Sequence, residues 1–242
     1  MTITQEDQLQ KLRHIGRIVA NTLRDMQAAA RPGMTTAELD DIGAKLLNSA
    51  GARSAPQVTY DFPGATCISI NEQIAHGIPG DRVILDGDLI NIDVSAEKDG
   101  IFGDTGASFV AGTSTPTLER LTRDGKRALW AGIAQVKSGA KINRIGQAIE
   151  TFATKNRYTL IRNLASHGVG TALHEEPTEL AIWYEPGDRR TMHDGLVFTL
   201  EPFLSMGGEW AAEQGDGWTL VSTPRAPTVQ YDTPWSSRSA AR

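Results

Sequence analysis

A chain of 242 residues with 40% hydrophobic and 22% charged residues can bury a sizeable core, which excludes a disordered protein. Its formal net charge of −5, with cations interspersed among acids, leaves no basic footprint for direct nucleic-acid binding. The opening TITQEDQLQK lacks a signal-peptide core, no run of roughly 18 apolar residues offers a membrane span, and the one cysteine, Cys67, cannot form an internal disulfide, so the reading is a cytoplasmic protein with no membrane segment, taken as a monomer.

In chain order, Leu9, Leu12, Ile15, Ile18, Val19, Leu23 and Met26 recur at helical spacing and predict an amphipathic helix over 5–30, stopped by Arg31-Pro32-Gly33. Thr35-Thr36-Ala37-Glu38 offers a hydroxyl cap and an acid for a second helix, to about residue 50 before Gly51. Strand-like runs follow at 65–71, 89–95 and 101–110, the last two joined by Lys98-Asp99-Gly100, a hairpin signal. Helical patterns return over 118–137 and 142–155, then strand-like runs at 159–164, 195–201 and 218–221. Helices, strands, helices, strands: the doubled order suits two α+β halves around one central sheet in a single domain spanning 1–242.

Asp93 sits inside the apolar run Leu89-Ile90-Asn91-Ile92-Asp93-Val94, where a carboxylate needs a partner. If Asp99-Gly100 forms a two-residue turn, Lys98 faces Ile101, Asp93 faces Gly106, and Asp104 lies one diagonal step from Asp93 on the same face. Diagonal neighbours are about 7–8 Å apart at the backbone. Carboxylates reaching inward from there can span two metals about 3.5–4 Å apart. The bland alternative is that Asp104 shapes a turn in Gly103-Asp104-Thr105 while Asp93 pairs with a lysine.

Further signals lie downstream. Ser166-His167-Gly168-Val169-Gly170 and His174-Glu175-Glu176-Pro177 place two histidines in a glycine-rich stretch, and imidazole is a common divalent-metal ligand. Glu201 repeats the oddity of Asp93, an acid at the end of an apolar strand stopped by Pro202. His76, in His76-Gly77-Ile78-Pro79, would alone read as a surface histidine at a turn.

Taken together with Cys67-Ile68-Ser69-Ile70-Asn71-Glu72, Gly103-Asp104-Thr105 and Phe198-Thr199-Leu200-Glu201-Pro202, these motifs resemble type I methionine aminopeptidases of the short bacterial type over nearly the whole chain. The resemblance implies the pita-bread fold, with two pseudo-symmetric α+β halves around a central antiparallel sheet. It implies that Asp93, Asp104, His167 and Glu201 are metal ligands for two divalent ions, with Co, Mn, Fe or Zn all suited to such oxygen-rich ligation. It further implies that a metal-bridging hydroxide attacks the first peptide bond, that Glu201 shuttles the proton, that His174 hydrogen-bonds the tetrahedral intermediate and that His76 contacts the substrate amide nitrogen. Phe62, Cys67, Leu173 and Trp218 would form the methionine pocket, with plain core packing as the alternative for these four. The substrates implied are initiator-methionine peptides on nascent chains met transiently at the ribosome. A proline-specific aminopeptidase or creatinase-like hydrolase is the nearest rival among enzymes.

The C-terminal segment 232–242 departs from that pattern. The family ends near Gln-Tyr-Glu-His-Thr with a valine-rich strand, whereas this chain reads Gln230-Tyr231-Asp232-Thr233-Pro234-Trp235-Ser236-Ser237-Arg238. Writing a family-like Glu-His-Thr-Leu-Val-Val-Thr as GAG CAC ACC CTG GTC GTC ACG and deleting the third base encodes Asp-Thr-Pro-Trp-Ser-Ser-Arg. This motivates the hypothesis of a one-base frameshift, which close relatives sharing the ending in frame would sink. Asp232 then stands in for the fifth, glutamate ligand, one methylene short, and Pro234 predicts loss of the terminal strand. The alternative to an enzyme is therefore a catalytically impaired or dead binding module on the same fold.

Overall fold

The computed structural model describes residues 1–237, so 238–242 of the divergent segment lie outside the described residues. Helix α1 (Glu6–Ala29) buries Ile15, Ile18, Val19, Leu23 and Met26 along one stripe, the spacing that a 3.6-residue period demands. Helix α2 (Thr36–Ser49) starts in a reciprocal cap: Glu38 N donates to Thr35 Oγ1 at 3.1 Å, and Thr35 N donates to Glu38 Oε2 at 2.8 Å.

Two short elements follow that the sequence pattern did not reveal, β1 (Arg53–Ser54) and α3 (Ala55–Tyr60). Ser54 caps α3 by accepting from Gln57 N, Pro56 occupies its first turn, and the left-handed Asp61 (φ 56°) ends it. Next come β2 (Cys67–Ile70) and β3 (Gln73–Ala75). The hairpin of β4 (Leu89–Lys98) and β5 (Ile101–Val110) has the register that the two-residue turn predicts, Lys98 opposite Ile101 and Asp93 opposite Gly106. Asp99 and Gly100 both take positive φ (53° and 76°), as a turn matching the strand twist requires.

Helices α4 (Pro116–Ile133) and α5 (Asn143–Lys155) open the second half. Then come β6 (Thr159–Leu160), β7 (Ser166–Gly168), β8 (Glu175–Leu180), β9 (Val197–Leu200) and β10 (Phe203–Ser205). The last are β11 (Trp210–Glu213), β12 (Leu220–Thr223) and β13 (Thr228–Ser236). The main antiparallel sheet runs β1-β4-β5-β13-β9-β7-β8, with β2 added to β4 and β10 bridging β13 and β6; β11-β12-β3 form a smaller sheet. One apolar cluster packs α1 and α2 on β2 and β4 through Ile15, Val19, Leu39, Ile68, Ile90 and Ile92. Another packs α4 and α5 on β9, β10 and β13 through Leu121, Ile149, Phe198, Leu204 and Val229. Among the described residues no helix is long and apolar enough to cross a membrane.

Strand β13 joins the halves. It pairs with β5 up to Asp232 opposite Gly106, then with β9 from Thr233 opposite Leu200 to Ser236 opposite Val197. The expected loss of the terminal strand is therefore corrected: a strand runs through Pro234. Ser237 N donates to Leu196 O at 3.0 Å, and extending that alternation backwards makes Trp235 and Thr233 the donors toward β9. Pro234 falls at a position whose nitrogen points away from β9, toward an edge that β5 no longer covers, so its missing N–H costs the ladder nothing.

Candidate metal centre

Cys67, Asp93, Gly106 and Asp232 are registered across four neighbouring strands, β2, β4, β5 and β13. Directly opposed residues share a face of a sheet, so one row supplies a thiol and two carboxylates, with the side-chain-free Gly106 between the acids. Asp104, opposite Ser95, adds a third carboxylate a diagonal step from Asp93. His167 projects from β7 and Glu201 follows the last residue of β9; Thr199 links them, accepting from His167 N at 3.1 Å and donating to Glu201 Oε1 at 3.0 Å.

An oxygen from each of Asp93, Asp104 and Asp232 lies within 4.8 Å of the others. His167 Nε2 stands 3.3 Å from Glu201 Oε1 and 3.8 Å from Asp104 Oδ2. The His167 Nδ1–H donates to the Gly168 carbonyl at 3.0 Å, which leaves the Nε2 lone pair facing the acids, the arrangement of a metal-ligating imidazole. Asp104 Oδ1 and both Asp232 oxygens are buried with no hydrogen-bond donor. Among the described residues, no Lys or Arg pairs with any of these carboxylates. Both bland expectations thus fail: Asp93 has no lysine, and Asp104 lies within a strand because its register with Ser95 continues the hairpin ladder.

The electrostatics describe a cluster awaiting positive charge. Burial, then the charges of Asp93, Asp232 and Glu201, push Asp104 well above the usual carboxylate range. Asp232 is raised well above it by burial and by Glu201 and Asp93. Burial lifts Asp93 to about 6, tempered by its contact with Asp104. Burial and the Asp93 charge lift Glu201 to about 8, against the pull of Thr199 and the Gln230 amide. Buried orphan oxygens that converge with a lone-pair imidazole and have no Lys or Arg partner among the described residues fit divalent metal, and these five residues are the ones that would hold it.

Asp93, Asp104 and Glu201 open into a cavity of about 380 Å³ whose wall includes Phe62, Cys67, Leu173 and Trp218, so the structure gathers all four residues predicted for the pocket. Phe62 and Trp218 meet edge to face, centroids 5.1 Å apart at 86°. His76 and His174 line the same cavity. Burial lowers His76, and burial with the neighbouring His167 and His76 lowers His174 to about 4, so both are neutral near pH 7. The sequence reading missed Tyr60 and Phe203 in this wall and Gln230 behind it; Tyr60 ends a one-and-a-half-turn helix too short to show a period, and Gln230 looks polar and unremarkable until Asn91 Nδ2 is seen donating to it at 2.8 Å.

An oxygen-rich centre beside an apolar pocket, on a sheet shared by two α+β halves, defines a metallopeptidase, and residues 10–223 match the Metallopeptidase family M24, to which this chain belongs. The chain is similar to methionine aminopeptidase 2 of Bacillus subtilis, at 43% identity over 96% of this chain and 94% of that protein. It is similar to a methionine aminopeptidase of Staphylococcus epidermidis, at 41% identity over 96% and 93%. The crystal structure of methionine aminopeptidase from Rickettsia prowazekii superposes with a TM-score of 0.93 at 32% identity, covering 98% of this chain and 96% of that one. The architecture is the pita-bread fold that the motifs implied.

Proposed function

We propose that this chain is a metal-dependent aminopeptidase that removes the initiator methionine from nascent proteins. The observation that carries it is the convergence of Asp93, Asp104, His167 and Glu201 at the floor of a cavity walled by Phe62, Cys67, Leu173 and Trp218, with the orphaned oxygens of Asp232 grouped beside Asp93 and Asp104. Two divalent cations, of Co, Mn, Fe or Zn, would supply Lewis acidity there and lower the pKa of water toward neutrality.

The chain's own residues do the rest. The apolar wall takes the unbranched thioether side chain and sets the scissile bond beside the acids. As water oxygen joins the carbonyl carbon, Glu201 takes the released proton and returns it to the leaving nitrogen when the C–N bond breaks. Neutral His174 donates to the oxygen on which charge develops, and His76 holds the amide nitrogen. Substrates are Met-initiated chains in the cytoplasm, met transiently at the ribosome by a monomeric enzyme.

The test is methionine release from a Met-Gly-Met-Met peptide by protein stripped with a chelator and refilled with Mn or Co. Metal-dependent release supports the reading, and no release by folded, refilled protein refutes it.

A further inference from the structure

Tyr60, the last residue of α3, places its hydroxyl 2.6 Å from His174 Nδ1, with ring centroids 5.6 Å apart. The position is built in from both sides. Asp61 turns left-handed directly after Tyr60, and Ser54 Oγ at the other end of α3 donates to Ala65 O at 2.8 Å, fixing the short helix against the loop that follows it. On the histidine side, the Glu175 carboxylate accepts from Thr171 N at 3.1 Å, Thr171 Oγ1 at 2.5 Å and Ala172 N at 3.2 Å, which holds the backbone of the loop that carries His174. The His174 ring also packs against His167, with centroids 3.9 Å apart and the ring planes tilted by 38°.

At 2.6 Å the phenol oxygen and the ring nitrogen share a single proton. Between a neutral phenol and a neutral imidazole, the stronger donor is the phenol O–H and the stronger acceptor is the bare ring nitrogen. The proton on an imidazole goes to the nitrogen not engaged as acceptor.

We infer that Tyr60 is a positioning residue that donates to His174 Nδ1 and so fixes the tautomer with hydrogen on Nε2, ready to donate to the substrate oxygen. The inference rests on the role proposed above for His174. Tyr60 touches no reacting atom in this account and acts through the ring it orients. It is 43% exposed, so removing its hydroxyl leaves the core intact.

The experiment uses ¹⁵N-labelled, zinc-loaded protein, its Tyr60→Phe variant and a His174→Gln variant. Long-range ¹H–¹⁵N correlations should show His174 with hydrogen on Nε2 in the parent and a mixture of tautomers in Tyr60→Phe. In the same variant kcat should fall roughly tenfold, the scale of lost orienting partners, with KM and thermal midpoint unchanged. Hydrogen on Nδ1 in the parent, or an unchanged kcat in Tyr60→Phe while His174→Gln is crippled, overturns the inference alone. Full activity in His174→Gln overturns it together with the role of His174.

Discussion

Asp93 and Asp232 lie in one row of the central sheet, two strands apart, each opposite Gly106. That relationship ties the first half of the molecule to the last strand and makes the absence of a side chain at 106 a requirement of the centre. A Cβ there would meet the Gln230 amide, with Nε2 at 2.9 Å, and that amide is held by Asn91. Gly106→Ala should therefore cost about 1–3 kcal/mol by overpacking. It should also weaken Mn binding. Urea unfolding and calorimetric titration check the two effects, and a variant with parental stability and affinity would contradict the close packing described.

Asp232 is the acid that the last strand brings to the centre. Its two buried oxygens have no donor, so Asp232→Asn should relieve repulsion in metal-free protein and raise its thermal midpoint, while weakening Mn binding by roughly tenfold or more. Asp232→Glu adds the methylene of the glutamate that the sequence resemblance implies there and should tighten Mn binding. Midpoints measured with chelator and with Mn should move in opposite directions for the Asn variant; a fall in both would mean Asp232 serves packing only.

The pH dependence of metal-free protein follows from the direction of the carboxyl shifts. Folding raises Asp93 from 3.8 to about 6 and Glu201 from 4.5 to about 8, so the folded chain keeps protons that the unfolded chain has released. The stabilisation linked to those protons is full below about pH 4 and is lost as pH rises through about 6 and then 8. Chelator-treated protein should thus be less stable to urea at about pH 8 than at about pH 5, with added Mn narrowing the gap. A flat or rising stability over that range would mean that the acids ionise freely without metal.

Phe62 and Trp218 meet edge to face in the pocket wall. Phe62→Ala should raise KM for Met-Gly peptides by roughly tenfold, the scale of about 1.4 kcal/mol of lost apolar contact, with a smaller change in metal affinity. Steady-state kinetics beside metal titration separate a pocket role from plain core packing, in which stability would fall and KM would not.

The sequence carried the hairpin of β4 and β5 to the residue, because Asp99-Gly100 admits one turn geometry and that turn fixes every pair behind it. Helices α1 and α2 were legible from their apolar stripe and from the Thr35–Glu38 cap. Elements α3, β3 and β8 were not, since segments this short, or as polar as Glu175–Leu180, show no period and exist through tertiary pairing. At the site, acids embedded in apolar runs announced Asp93 and Glu201. Tyr60 gave no such signal, because its role depends on a partner 114 residues away. Strand β13 was misread, because whether a proline breaks a ladder depends on which way its nitrogen faces, and that is set by register with β9.

The most direct measurement is the number of Mn ions held per chain after stripping and refilling, counted by elemental mass spectrometry beside an Asp93→Asn, His167→Ala double variant. The centre described here predicts about two ions per parent chain and their loss in the variant. A folded parent chain that retains none, or a variant that retains as many, would contradict it.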